Sequence, residues 1–283
     1  MTRSALVTGA GSGIGRAVAV AAAARGFAVV ATDVDGASLA ALRDLAVARG
    51  WAIQVLAADV TVAAEVAAAV DLVVERHGRL DLLVNNAAVE ATGLAWQTSE
   101  EQWRRLLDVN VLGVVNGLSA AVPRMLDQPG PAGTIVNVAS LAAVASGPAR
   151  QAAYNASKHA VLALTECLRL DLDEVGSRIG VHVVLPGPVD TAIFDTASAA
   201  DPEADEYREV LRRYVRDEGL SADDAAEAIF EGVEEGRFWI TTHPAMFTAF
   251  AERRAALLTT RQRPVARPLD AGPGPADGEA SSS

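Results

Sequence analysis

Tyr154 and Lys158 form a pair of residues whose types and spacing could support proton transfer. They lie four positions apart in the segment Tyr-Asn-Ala-Ser-Lys, and Lys158 is the only lysine in the chain. Residues four apart on a helix face the same side, so the phenol and the ammonium can share one pocket. Free tyrosine titrates near pH ~10, and a neighbouring cation lowers that pKa. The pair therefore predicts a tyrosine that exchanges a proton with a substrate, unless it is an incidental pair on a helix surface.

A glycine-rich turn follows the first apolar run of the chain. The segment from Thr8 to Gly15 reads Thr-Gly-Ala-Gly-Ser-Gly-Ile-Gly and leads directly into a helical pattern. Its spacing is Gly-x-x-x-Gly-x-Gly and does not match the common dinucleotide fingerprint. Glycines let the backbone approach a phosphate closely, and a helix N-terminus supplies N–H groups and partial positive charge. The turn predicts a dinucleotide site formed by Gly9, Ser12, Gly13, Ile14 and Gly15.

An acidic residue, Asp33, ends the second predicted strand about twenty residues after the glycine turn. In that position a carboxylate can accept hydrogen bonds from the hydroxyls of the adenosine ribose. It would repel a 2′-phosphate by about 1 to 4 kcal/mol, depending on the local dielectric. No arginine follows Asp33 directly, and the residue before Gly13 is Ser12 rather than a basic one. NAD is therefore favoured over NADP; the alternative is that Asp33 only shapes a turn or caps a helix.

Apolar runs rich in Val, Ile and Leu alternate with longer stretches of helical period. The predicted strands lie near 4–8, 28–33, 52–57, 80–85, 134–139, 180–185 and 238–241. The predicted helices lie near 13–25, 37–49, 63–77, 100–126, 152–175, 222–234 and 244–258. This alternation predicts an α/β protein with a Rossmann-type, doubly wound, seven-stranded parallel sheet and helices on both faces. We expect one catalytic domain over 1–262 and a disordered tail rich in Pro, Gly and Ser over 263–283.

Composition restricts the class of partner. The 283 residues are 51% hydrophobic and 21% charged, and the net charge of −12 argues against nucleic acid and anionic membranes as partners. The single cysteine, Cys167, excludes an internal disulfide, fits a reducing compartment and is expected to be buried. The N-terminus shows no signal-peptide pattern, so a cytoplasmic location is predicted. The histidines show no metal-binding spacing, and no metal site is predicted.

With these features in place, the chain resembles the short-chain dehydrogenase/reductase family, in its compact single-domain branch. The resemblance covers about residues 3–245, and its motifs occur in the family's order. Besides the glycine turn and the Tyr154–Lys158 pair, the motifs that carry the resemblance are Asp59-Val60, Asn85-Asn86-Ala87, Asn110, Ser140 and the segment from Pro186 to Thr191.

The resemblance implies a catalytic role for four residues. Tyr154 would act as general base in alcohol oxidation and as general acid in ketone reduction. Lys158 would hydrogen-bond the nicotinamide ribose and help to lower the pKa of the tyrosine. Ser140 would position the substrate oxygen and stabilise its developing charge. Asn110 would hold a water molecule that links Lys158 to solvent.

The resemblance also implies the remaining cofactor contacts. Asp59 and Val60 would bracket the adenine, and Val189 and Thr191 would hold the nicotinamide carboxamide. The rest of this set is Asn86, Ala87 and Pro186. One position departs from the family pattern, because Ala88 stands where members usually have a glycine.

The substrate pocket is expected between the segment 141–150 and a lid over about 191–214. Apolar residues such as Val144, Pro148, Ile193 and Phe194 prevail there, and no carboxylate or phosphate clamp is evident. A neutral secondary alcohol or ketone with a hydrophobic body is therefore predicted, such as an alicyclic, terpenoid or steroid-like molecule. The resemblance also implies a homodimer or homotetramer in which the helices near 100–126 and 152–175 pair.

Two other functions remain as alternatives. One is an NADPH-dependent reductase of acyl-type substrates carried on an acidic carrier protein. Between Asp201 and Glu235 the chain has thirteen acids and four arginines, a net charge of −9 that would repel such a carrier. The other is a nucleotide-binding regulator without catalysis, against which the complete set of Ser140, Tyr154, Lys158 and Asn110 weighs.

Overall fold

A seven-stranded parallel sheet forms the centre of the protein. The computed structural model describes residues 2–145 and 147–265. The strands of this sheet are β1 (Ser4–Thr8), β2 (Ala28–Asp33), β3 (Ile53–Ala57), β4 (Leu82–Asn85), β6 (Thr134–Val138), β7 (Gly180–Leu185) and β9 (Trp239–Thr241). They lie in the order β3-β2-β1-β4-β6-β7-β9. The predicted Rossmann-type α/β fold is confirmed, and the predicted strands deviate from these bounds by two residues or fewer at each end.

Helices cover both faces of the sheet. They are α1 (Gly13–Ala24), α2 (Gly36–Arg49), α3 (Ala63–His77), α4 (Glu100–Leu107), α5 (Gly113–Asp127), α6 (Ala152–Glu174), α7 (Pro202–Glu218), α8 (Ala222–Glu234) and α9 (Pro244–Thr260). On one face α1 and α8 bury residues such as Val18 and Ile229, and on the other α3, α5 and α6 bury residues such as Val70, Leu118 and Val161. Burial of each such side chain contributes about 1.5–3 kcal/mol to the stability of the fold. This packing holds in place the strand ends that carry the site.

The helix predicted over 100–126 is two helices joined by one wider, π-helical turn, Asp108–Leu112. Such turns often occur at functional sites, and this one carries Asn110. By length and composition, the whole stretch Glu100–Asp127 is long and apolar enough to cross a membrane. Here its buried residues, among them Leu118 and Ala121, pack with α3 and α6, and the core helices of soluble proteins have the same composition.

Helix α7 was not among the predicted helices, since its sequence has few apolar residues. Its start is marked by local chemistry: the Asp201 carboxylate accepts from the backbone N–H of Ala204 at 2.8 Å, and Pro202 occupies the first turn. Ahead of it, β8 (Ser198–Ala199) pairs in parallel with β5 (Ala91–Thr92). The segment predicted as a lid is therefore tied to the loop that follows β4.

Two further expectations concern single segments. Cys167 on α6 is exposed, so the prediction that it is buried is wrong: it lies on the side of α6 that faces away from the sheet. Of the tail predicted over 263–283, residues 263–265 form an irregular extension after α9. The part of the prediction that concerns 266–283 lies outside the described residues.

Candidate active site

A cavity of about 1570 Å³ opens at the carboxyl ends of the central strands, beside the position where the strand order reverses between β1 and β4. Doubly wound sheets bind their ligands at this place. The volume exceeds the ~300–1,000 Å³ of a pocket for one small ligand, so a dinucleotide and a substrate can share it. Nearly every residue of the predicted site lines this cavity: Gly9, Ser12, Gly13, Ile14, Asp33, Asp59, Val60, Asn86, Ala87, Ser140, Tyr154, Lys158, Pro186, Val189 and Thr191.

The glycine turn is packed too tightly to admit side chains. A Cβ on Gly15 would lie 2.2 Å from the carbonyl oxygen of Gly9, and one on Gly13 would lie 2.9 Å from the side chain of Thr191. Gly9 and Gly13 also have φ of 64° and 50°, a region that L residues rarely adopt. The turn thus brings the backbone at the start of α1 to the cavity, where its first N–H groups could bind a pyrophosphate.

Asn86 lines the cavity and also holds the glycine turn in place. Its Nδ2 donates to the carbonyls of Thr8 at 3.0 Å and Gly9 at 3.2 Å. The hydroxyl of Thr8 accepts in return from the backbone N–H groups of Asn86 at 3.0 Å and Ala87 at 3.2 Å. These reciprocal bonds connect the ends of β1 and β4, so the Asn-Asn-Ala motif shapes the phosphate turn as well as lining the cavity.

Asp33 lies at the end of β2, and both of its carboxylate oxygens accept hydrogen bonds from backbone N–H groups. Oδ2 accepts from the backbone N–H of Gly11 at 2.9 Å, and Oδ1 accepts from that of Asp35 at 3.0 Å. A carboxylate has about four acceptor positions, so it keeps capacity for two ribose hydroxyls. Asp33 therefore shapes the turn, as the alternative interpretation expected, and also presents an acceptor to the cavity.

The adenine end of the predicted site is held by bonds that the sequence did not reveal. The Asp59 carboxylate accepts from the N–H and the hydroxyl of Thr61 at 2.9 and 2.8 Å. Asn116 on α5 donates to the carbonyl of Val60 at 2.8 Å. A Cβ on Gly113 would lie 2.8 Å from Val60, so α5 packs directly beneath this loop. Asn116 thus positions Val60, and only the folded structure brings the two together.

Tyr154 and Lys158 project from one face of α6 into the cavity, as their spacing predicts. Nζ of Lys158 lies 5.7 Å from the centre of the Tyr154 ring and donates to the carbonyl of Val138 at 3.1 Å. Lys158 is 2% exposed. Such an ammonium is held in place by the end of β6 and has lost most of its contact with water.

The protein surroundings shift both pKa values. Burial raises the pKa of Tyr154 well above its ordinary value, the charge of Glu90 raises it further, and Ser140 opposes the rise. Burial lowers the pKa of Lys158 to about 8, against an opposing effect of Glu90. The expected lowering of the tyrosine pKa is therefore not produced by these side chains, because burial of the phenol outweighs the hydrogen bond with Ser140.

Ser140 and Asn110 occupy different positions relative to the cavity. Ser140 lines it directly after β6, and its hydroxyl accepts from the N–H of Ala142 at 3.1 Å. Asn110 is 1% exposed and lies behind the wall. It accepts from the N–H of Val89 at 2.8 Å and donates at 3.0 Å both to the carbonyl of Val89 and to the hydroxyl of Ser157. Its side chain therefore fixes the wall of the site and makes no hydrogen bond to Lys158.

Sequence reasoning missed Glu90, a carboxyl group in the cavity wall that is 3% exposed. The only signal was an acid in the otherwise apolar stretch after Asn-Asn-Ala. The rest of the lining near the predicted lid is largely apolar, as expected: Leu141, Pro148, Ile193, Phe194 and Leu211 line it together with Thr196 and Tyr214. Within 2–145 and 147–265, no group of three or more His, Cys, Asp or Glu residues could hold a metal ion.

Comparisons with known proteins agree with this geometry. A family profile described as short chain dehydrogenase matches residues 3–202. The CLA biosynthesis dehydrogenase/reductase of Lactiplantibacillus plantarum is 31% identical over 276 residues, which cover 93% of this chain and 96% of the relative. The 1-deoxy-11-beta-hydroxypentalenate dehydrogenase of Streptomyces avermitilis is 36% identical over 242 residues, covering 85% of this chain and 84% of the relative.

Among solved structures, the chain is similar to a crystal structure of a short chain dehydrogenase/reductase from Burkholderia phymatum in complex with NAD. The two superpose with a TM-score of 0.89 at 37% identity, and the match covers 95% of this chain and 98% of that one. The similarity therefore includes the elements around the cavity as well as the sheet.

Proposed function

Since this chain belongs to the short-chain dehydrogenase/reductase family, we propose that it transfers a hydride between NAD(H) and a hydrophobic secondary alcohol or ketone. Tyr154 is the general acid and base of this reaction. The observation that carries the proposal is the position of the Tyr154 hydroxyl: it shares with Lys158 and Ser140 a cavity that continues to the glycine turn and Asp33. One cavity thus holds both the proton-transfer groups and a dinucleotide cradle.

The preference for NAD over NADP rests on the charge of Asp33. Its carboxylate faces the part of the cavity where the adenosine ribose would bind, and a 2′-phosphate there would be repelled by about 1–4 kcal/mol. Both carboxylate oxygens are held by backbone N–H groups, so the charge cannot easily turn away. The similar protein from Burkholderia phymatum was crystallised with NAD, which supports the same choice.

Proton transfer is divided among three side chains. The phenol of Tyr154 donates a proton to a ketone oxygen, and its conjugate base accepts one from an alcohol. Ser140 donates a hydrogen bond to the same oxygen and limits its movement. The ammonium of Lys158 stabilises the phenolate form of Tyr154 electrostatically. When bound, NAD supplies the hydride acceptor and NADH the donor. The raised pKa of Tyr154 keeps the phenol protonated at neutral pH, which suits reduction, and makes oxidation faster as pH rises.

The substrate proposal rests on the lining beyond the proton-transfer groups. Leu141, Pro148, Ile193, Phe194 and Leu211 offer an apolar surface to the body of the molecule. A relative in Streptomyces avermitilis is named for a hydroxypentalenate, which supports a hydroxyl on a larger body as the reacting group. We infer an alicyclic, terpenoid or steroid-like secondary alcohol, or the corresponding ketone.

The test is a substrate panel assayed with NAD+ and NADP+ in parallel, in which formation of reduced nicotinamide is followed by absorbance. The panel contains alicyclic and steroid secondary alcohols, a phosphorylated sugar and, in the reverse direction with NADPH, an acyl thioester ketone. We expect the highest kcat/KM for an apolar cyclic alcohol with NAD+. A phosphorylated sugar as the best substrate would contradict the substrate class, and preferred reduction of the thioester with NADPH would favour the acyl-type reductase.

A further inference from the structure

Glu90 is a buried acid in the substrate part of the cavity, and the mechanism above gives it no role. It lies between two fixed points. Before it, Val89 is held through both its N–H and its carbonyl by Asn110. After it, Ala91 begins β5, which pairs with β8 in front of α7. The carbonyl of Glu90 itself accepts from the N–H of Ser198 at 3.2 Å. The backbone on both sides of Glu90 is therefore fixed, and its carboxyl group is held in the wall of the cavity.

The carboxyl oxygens of Glu90 are only partly used by the protein. Oε1 accepts from the N–H of Ala91 at 3.1 Å, and Oε2 accepts a long bond of 3.5 Å from Nε2 of Gln151. Among the ion pairs that the described residues form, none includes Glu90. Since a carboxyl group offers about four acceptor positions, capacity remains for a ligand. Gln151 lines the same cavity and is 8% exposed.

A second polar group lies close by on the lid side. The hydroxyl of Tyr207 on α7 is buried and has no hydrogen-bond partner among the described residues. Burial, and to a smaller extent the nearby charge of Glu90, raises the pKa of this phenol to about 12. Burying a polar group without a partner costs free energy, so Glu90 and the Tyr207 hydroxyl are two incompletely satisfied polar groups near one another.

We propose that Glu90 and Gln151 form a subsite that binds a second, neutral hydrogen-bonding group of the substrate, a hydroxyl or a carbonyl oxygen, while the reacting carbinol faces Tyr154. This inference rests on the proposed function, which it narrows from secondary alcohols in general to diols and hydroxyketones.

A neutral group fits this subsite better than a charged one. Lys158 lies in the same cavity and would repel an ammonium. Burying a carboxylate or phosphate beside Glu90 would cost free energy, because neither Glu90 nor Gln151 supplies a positive charge. Burial raises the pKa of Glu90 well above its usual range and so favours the neutral form, which can both donate and accept a hydrogen bond. The amide of Gln151 has the same dual character, so the pair matches a hydroxyl on the substrate.

We expect this subsite to make the protein selective for substrates that carry a second oxygen. A site with buried polar groups rejects an analogue that leaves them unpaired, by factors as large as about 10⁴. A monofunctional apolar alcohol bound here would shield Glu90 from water and leave its remaining hydrogen-bonding capacity unused. We therefore expect the protein to discriminate between alcohols of the same ring size by the presence and position of a second oxygen.

The experiment compares cyclohexanol with the isomeric cyclohexanediols. One measurement is kcat/KM with NAD+, and a second is calorimetric binding of each alcohol to the protein–NADH complex, which needs no turnover. In the wild type we expect at least one diol to exceed cyclohexanol by about tenfold or more in both measurements. In Glu90→Leu the ratio of the diol to cyclohexanol should fall towards one. Gln151→Leu, which keeps Glu90, should also lower this ratio. The matched control is Glu75→Leu, which changes an exposed acid on α3 and should leave the ratio as in the wild type.

The outcomes separate the two proposals. The subsite proposal is overturned if Glu90→Leu and Gln151→Leu prefer the diol over cyclohexanol as strongly as the wild type does. It is also overturned if the wild type favours no diol. If Glu90→Leu fails to bind NADH and is therefore misfolded, Gln151→Leu decides alone. If no alcohol is turned over while NADH binds, the proposed function fails, and the calorimetric ratio still reports on the subsite.

Discussion

Oδ2 of Asp33 accepts a hydrogen bond from the backbone N–H of Gly11 at 2.9 Å, so the acid after the second strand and the glycine turn after the first are one structural unit. A Cβ on Gly11 would lie 2.9 Å from the same oxygen, which shows how closely they pack. The carboxylate that we propose to select the cofactor is thereby held by the turn that would bind the cofactor phosphates.

Removing the charge of Asp33 should relax the choice of cofactor. In Asp33→Asn the amide oxygen can still accept from Gly11, while the repulsion of a 2′-phosphate, about 1–4 kcal/mol, is lost. We expect the ratio of NADPH to NADH affinity to rise by about tenfold or more, as measured by calorimetric titration. Asp44→Asn, which changes an exposed acid on α2, is the control. An unchanged ratio in Asp33→Asn would mean that Asp33 serves only the turn.

Gly15 should tolerate no side chain. The Cβ of Gly15→Ala would lie 2.2 Å from the carbonyl oxygen of Gly9 and 2.3 Å from Nδ2 of Asn86, so the turn must open and its N–H groups must move. We expect loss of NADH binding in a fluorescence titration. Gly36→Ala adds the same methyl group at the start of α2, where nothing lies within 4 Å, and should bind NADH as the wild type does. Equal binding by the two variants would show that the turn does not hold the cofactor.

Glu90 should make stability depend on pH in a defined direction. Its folded pKa is raised, so the folded state favours the neutral acid. The wild type therefore loses stability as pH rises above about 4.3, the ordinary value for glutamate, and the loss ends once pH exceeds the folded pKa. Glu90→Gln carries no charge and lacks this loss. In thermal unfolding we expect the Tm of Glu90→Gln minus that of the wild type to grow with pH across this window.

The control for the pH experiment is Glu75→Gln, in which an exposed acid on α3 changes in the same way. Its Tm should follow that of the wild type at every pH. A Tm difference for Glu90→Gln that stays constant with pH, or that shrinks as pH rises, would contradict the raised pKa of the buried acid.

The helices expected to pair between subunits carry exposed apolar side chains. Leu112 is 49% exposed beside α5, and Leu126 is 47% exposed near the end of that helix. Leu170 on α6 is 66% exposed. We propose a homodimer or homotetramer that covers these faces, and expect light scattering to give the corresponding mass at micromolar concentration. Leu170→Glu should shift that mass towards the monomer. A monomeric wild type would contradict the assembly.

The order of elements and the motif positions could be predicted because each depends on short stretches of sequence. Apolar runs of strand length mark a buried parallel sheet, and glycines mark the turn after β1. Helix α7 was missed because it contains few apolar residues and therefore shows no clear apolar pattern. Its only local signal is its N-terminal cap, formed by Asp201 and Pro202.

Contacts between distant segments were beyond the reach of the sequence. Asn110, in the π-helical turn, bonds to Val89 and Ser157, which lie 21 and 47 residues away. The pKa of Tyr154 depends on burial and on Glu90, and neither is visible in the spacing of Tyr154 and Lys158. Local patterns therefore indicated which residues line the site, while its electrostatics required the folded chain.

The most direct test of the central claim compares Tyr154→Phe with the wild type in two assays, NADH binding and oxidation of the best alcohol by NAD+. The substitution removes one hydroxyl and leaves the ring beside Lys158. We predict unchanged NADH affinity and a kcat lower by about 10²–10⁴-fold, the usual contribution of general acid–base catalysis. Unchanged turnover in Tyr154→Phe would contradict the account, because the proton would then leave by a route that does not include Tyr154.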